Sequence, residues 1–119
     1  MNDIVRLGNS RRWSDVVIHG GVARWVEVAE DTSADARSQI GQVLQQIDAT
    51  LVQISSDKTR LLDVLIFLAD LNDAPILNEL WDEWVARDHA PIRACVQAGL
   101  AEGLRVEMLV TSAVMQSLS

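Results

Sequence analysis

Three side chains in the second half of the chain are of types that do chemistry. Arg93 lies in the run IRACVQA, Ile92 to Ala98, which is otherwise almost wholly apolar and follows Pro91. A guanidinium stays charged, so it needs a carboxylate or phosphate partner when it leaves water. One partner is Glu107, if the two strands are neighbours. The other is the carboxylate of a substrate, gripped by the bidentate fork. Glu107 sits in LRVEMLVTSAV between Val106 and Met108. If its face is solvated, it is a surface acid. If its face turns inward, it is a desolvated carboxylate suited to proton transfer. Cys95 stands two residues from Arg93 and shares its strand face. Free cysteine is usually a small buried hydrophobe, while a nearby arginine favours the thiolate. No histidine base lies close in sequence to complete a nucleophile pair. His19 and His89 make no metal spacing with each other or with Cys95, so no metal is expected.

The remaining candidates are bulky or absent. Trp81 and Trp84 fall on an apolar helix stripe and read as core, whereas Trp13 precedes the first expected strand and could rim a pocket. There is no glycine-rich phosphate loop and no nucleophile elbow.

These residues must be positioned by elements that the pattern makes legible. The 119 residues suit one domain, 1–119, large enough for a core without disulfides. Val16 to Ile18, a Gly20-Gly21 pair and Val22 to Val28 read as a hairpin with strands at about 15–19 and 22–28. Ala36, Ile40, Val43, Leu44, Ile47, Leu51 and Ile54 recur at helical spacing over 33–54, with Asp31, Thr32 and Ser33 as candidate caps. Gln39, Gln42, Gln45, Gln46, Asp48 and Gln53 form the polar face of that helix. Leu61 to Ala69 is apolar on both strand faces, so it needs cover on both sides. Pro75 opens a second helix, about 73–87, which Asp88 to Pro91 ends. Strands at 92–98 and 104–114 follow, with Leu100 to Gly103 turning between them. The order β-β-α-β-α-β-β predicts an α+β fold, one sheet with two helices packed on one face.

Composition narrows the partners. Seventeen acids against ten Lys and Arg give a net charge of −7, and Arg11-Arg12 is the only adjacent basic pair. This lacks the basic stripe of a nucleic-acid binder. No run approaches the ~18 apolar residues of a membrane span. The first residues, MNDIVRLGNSRRW, hold no apolar signal core, and with a lone thiol they predict a cytoplasmic protein. An apolar share of 49% is high for a small domain and points to burial against another chain.

The segments RRWSDVVIHGG, QQIDATL, LLDVLIFLADLND, LNELWDEWVARDHAPIRACVQAGL and RVEMLVTSAV together resemble the RidA (YjgF-type) family of imine and enamine deaminases, and most closely its YoaB-like branch. The most specific part is P-x-R-x-C-V at Pro91 to Val96, followed by Val106-Glu107. The resemblance implies a chorismate-mutase-like fold and a homotrimer, with a barrel of three sheets and clefts between subunits. It implies hydrolysis of 2-imino or 2-enamino acids, such as 2-aminoacrylate, to 2-oxo acids and ammonia, without a cofactor. Arg93 would hold the substrate carboxylate, Glu107 would manage water and protons, and backbone groups near Cys95 would line the site. The sequence departs from the family at Trp13, where a tyrosine is usual, and at Val26 and Glu27, where a hydroxyl residue and glycine are usual. That removes hydroxyls and adds an acid in or near the cleft. The alternative function is a non-catalytic trimer that binds a 2-oxo or amino acid.

Overall fold

The computed structural model describes residues 3–115; residues 1–2 and 116–119 lie outside the described residues. Six strands form one mixed sheet. They are β1 (Val5–Leu7), β2 (Val16–His19), β3 (Val22–Val28), β4 (Leu61–Leu68), β5 (Ile92–Gln97) and β6 (Val106–Ala113). Helix α1 (Ala36–Gln53) follows β3, and α2 (Ala74–Trp84) joins β4 to β5. The strand order is β1-β2-β3-β6-β4-β5. Only the β4–β5 pair is parallel, and α2 supplies the crossover that parallel pairing needs.

The hairpin forms as predicted. Gly20 and Gly21 take φ of 60° and 78°, the left-handed geometry that a tight two-residue turn between twisted strands requires. His19 then faces Val22 across the turn. β1 was missed because three residues carry too little alternation to register as a strand; Val5 to Leu7 are held by pairing with β2.

Both helices pack on the same sheet face, as expected. Ala36, Ile40, Val43, Leu44, Ile47 and Leu51 of α1 are buried, and so are Val64, Ile66 and Leu68 of β4. Asp35, not the earlier Asp31 to Ser33 cluster, caps α1 by accepting from the Ser38 amide at 2.9 Å. Asp31 instead accepts from Ser33 in the preceding turn. Gln39 departs from the polar face assigned to it and is fully buried. Its Nε2 donates to the Ala34 and Gly103 carbonyls at 3.0 and 2.8 Å, and its Oε1 accepts from the Arg105 amide at 2.8 Å. One amide thus fastens the loop before β6 to the start of α1.

The turn expected between the strands at 92–98 and 104–114 is present. The adjacency that an Arg93–Glu107 pair would need is not, since β5 and β6 lie on opposite sides of β4. Phe67 of β4 separates Val96 from Glu107, being in register with both. β5 is an edge strand with most of its residues exposed, so Arg93 pays no burial penalty there and needs no internal ion pair.

Among the described residues no helix covers the other sheet face. Val26, Val28, Leu65, Phe67, Leu109, Ala94 and Val96 belong to it by register. Val26 is 51% exposed and Val96 43%. The two-sided apolar character of β4 is therefore real, and within this chain only one side is covered.

Candidate functional site

Register and contacts together divide the candidate residues between the two faces. Arg93 and Cys95 pair with Val64 and Ile66, which are core residues beneath the helices. Arg93 accordingly reaches toward α2. Its Nη2 donates to Asn78 Oδ1 at 2.8 Å, and its guanidinium lies 5.3 Å from the centre of the Trp81 ring. Asn78 and Trp81 are three residues apart on α2 and so present one ledge to the sheet edge. A cation over an indole is attracted by the ring quadrupole. Among the described residues no carboxylate pairs with Arg93. The guanidinium is thus fixed in place with most of its five donors uncommitted. Of the two partners considered for Arg93, Glu107 of the same chain is excluded, since β4 stands between their strands and the two residues belong to opposite faces.

Cys95 is half-buried and packs against the core. Burial pushes its thiol above the ordinary range, and the neighbouring Arg93 charge offsets this only in part. That opposes thiolate formation, so the side chain behaves as a packing group.

Glu107 lies on the open face, in register with Val28 on one side and Phe67 on the other. It lines a cleft of about 540 Å³ with Trp13, Ser14, Val26, Val28 and Ala101. The loop before β2 brings Trp13 and Ser14, β3 brings the two valines, and the loop between β5 and β6 brings Ala101. Trp13 is 65% exposed and rims this cleft, whereas Trp81 is buried as core.

Glu27 does not join them. Its strand neighbour Val26 faces the cleft, so alternation sends Glu27 to the helix face. There Gln46 Nε2 and the Thr50 hydroxyl donate to its carboxylate at 3.1 and 2.9 Å. The acid expected in or near the cleft is engaged by α1 instead.

The candidate residues therefore fall into two separate groups. One is the Trp13–Val26–Glu107 cleft on the open face. The other is the Arg93 ledge on the edge strand. The sequence marked Trp13, Val26, Arg93, Cys95 and Glu107, but missed Ser14, Val28, Ala101 and Asn78. Val28 was recoverable, since it shares a strand face with Val26. Ala101 and Asn78 depend on loop and helix placement and carry no signal of their own.

Comparison with known proteins decides the kinship. The family model described as endoribonuclease L-PSP matches residues 6–114. The chain belongs to the endoribonuclease L-PSP family. It is similar to the RutC family protein YoaB of Escherichia coli, with 46% identity over 112 residues that cover 93% of this chain and 98% of that one. A solved L-PSP relative is a putative translation initiation inhibitor from Salmonella typhimurium, at 45% identity and TM-score 0.87, covering 93% and 97% of the two chains. Another is a member of the YjgF protein family from Neisseria meningitidis, at 38% identity and TM-score 0.89, covering 97% and 98%. The two-helix, six-strand layout is thus that of the YjgF and L-PSP proteins. Among the described residues no helix is long and apolar enough to cross a membrane.

Proposed function

We propose that this L-PSP family chain is a cytoplasmic hydrolytic deaminase of reactive 2-imino and 2-enamino acids, such as 2-aminoacrylate. Its products are a 2-oxo acid and ammonia. Three copies assemble with their open sheet faces inward, and each cleft joins the Glu107 half-site of one copy to the Arg93 edge of the next. The observation that carries this reading is Arg93, seated on Asn78 and Trp81 with no carboxylate partner among the described residues. An arginine so held is a receptor for a small planar anion. In a chain of net charge −7 it is also a local exception to the surrounding field.

The chemistry asks little of the protein. The imine carbon already reacts with water, so orientation and proton management suffice. Arg93 fixes the substrate carboxylate. Glu107 takes a proton as water adds to the C=N carbon, and returns one to the nitrogen as ammonia leaves. A positioned acid–base group of this kind contributes ~10²–10⁴-fold. The half-buried position of Glu107 beside two valines limits competing water around it.

A second reading is a trimer that binds a 2-oxo or amino acid without turning it over. It is favoured by Trp13 and Val26, which bring no hydroxyl to the cleft wall. A nuclease role draws no support from the charge pattern, which offers no basic stripe to a phosphate backbone.

The test generates 2-aminoacrylate in situ and follows ammonia release with the purified chain and with Arg93→Ala. We expect acceleration by the native chain and its loss in Arg93→Ala. A rate equal to the uncatalysed background sinks the deaminase reading. Stabilisation by a 2-oxo acid without turnover would select the binding reading.

A further inference from the structure

The cleft around Glu107 is built mainly of apolar surface. Val26 and Val28 present successive same-face side chains of β3, Trp13 closes one rim and Ala101 another. Against these stand one carboxylate, Glu107, and one hydroxyl, Ser14. Trp13 and Val26 leave 65% and 51% of their surface open, so there is apolar area beside Glu107 for a ligand to cover. A three-carbon imino acid would fill little of the roughly 540 Å³ and leave the indole in water. Removing that surface from water is favourable in proportion to the area covered.

We infer that Trp13, Val26 and Val28 form a side-chain pocket that selects 2-imino acids bearing a branched aliphatic or aromatic side chain over three-carbon ones. The inference rests on the deaminase reading of the same cleft. With the carboxylate at Arg93 and the imine carbon near Glu107, the side chain is the part left to meet the valines and the indole. With Glu107 engaged at the imine, the pocket offers only the Ser14 hydroxyl to a charged or amide side chain, which would lose most of its hydration there.

The test uses the full chain and imines produced in situ by an amino-acid oxidase from alanine, leucine and phenylalanine. Binding of pyruvate and of 4-methyl-2-oxopentanoate is measured in parallel by calorimetry. We expect kcat/KM for the leucine-derived imine to exceed that for the alanine-derived one by about tenfold or more, the discrimination that one or two buried methylenes supply. Trp13→Ala and Val26→Thr should each shrink that ratio, while Val26→Phe, which fills the cleft, should reverse it. A ratio near one, or one that these variants leave unmoved, overturns the pocket while leaving the deaminase intact. No turnover of any imine, with 4-methyl-2-oxopentanoate still binding more tightly than pyruvate, keeps the pocket and sinks the deaminase. Failure of both turnover and binding overturns both.

Discussion

Arg93 and Cys95 are two residues apart on one strand face, yet their environments push them toward opposite uses. The guanidinium projects past the sheet edge onto Asn78 and Trp81, where its charge stays solvated and its donors stay open. The thiol points into the core margin, where burial disfavours its anion. The sign follows directly. A raised thiol pKa means less thiolate at neutral pH than a free cysteine carries, and only the thiolate alkylates. Iodoacetamide at pH 7.5 should therefore modify the folded chain several-fold more slowly than the same chain in denaturant, as read by mass spectrometry. Equal rates would contradict the packing role. Arg93→Ala should slow the folded reaction further, because it removes the one charge that favours the thiolate.

Much of each element was legible, and the exceptions have physical reasons. The helix stripe from Ala36 to Leu51 was readable because burial follows its 3.6-residue period. Gln39 broke that logic. Its amide satisfies three backbone groups at once, a role that depends on where the loop at Gly103 passes. Gln39→Ala should remove three part-buried hydrogen bonds and cost about 2 kcal/mol, given a net ~0.5–1.5 kcal/mol for each. Chemical denaturation should show the midpoint fall with the slope unchanged. A loss below about 1 kcal/mol would mean that water replaces the amide. The separation of β5 from β6 was not legible, for a different reason. A short Gly-containing connection looks the same whether the strands it joins are adjacent or are parted by a third. Only the parallel docking of β5 against β4 decides between these, and that contact is non-local. The candidate residues were thus found by type, while their division between two faces was not, because it depends on strand order.

At the scale of the molecule, one sheet face is covered by both helices and the other by nothing among the described residues. Beside the cleft valines, the apolar excess of the composition resides in part on that second face, at Leu65, Phe67 and Leu109. Three copies packed through it would weigh about 39 kDa, from 13.1 kDa each. Light scattering should return that mass for the native chain, and Leu109→Arg should return smaller species. The placement of Arg93 and Glu107 on opposite faces then has a genetic consequence. Arg93→Ala and Glu107→Gln chains are each inactive alone on the proposed reading, yet they damage different halves of a shared cleft. Mixed in equal amounts and reassembled, they should regain about a quarter of the native sites, since a good Glu107 half then meets a good Arg93 edge by chance that often. Two dead alleles would complement each other, whereas a chain carrying both changes, mixed with either, would rescue nothing.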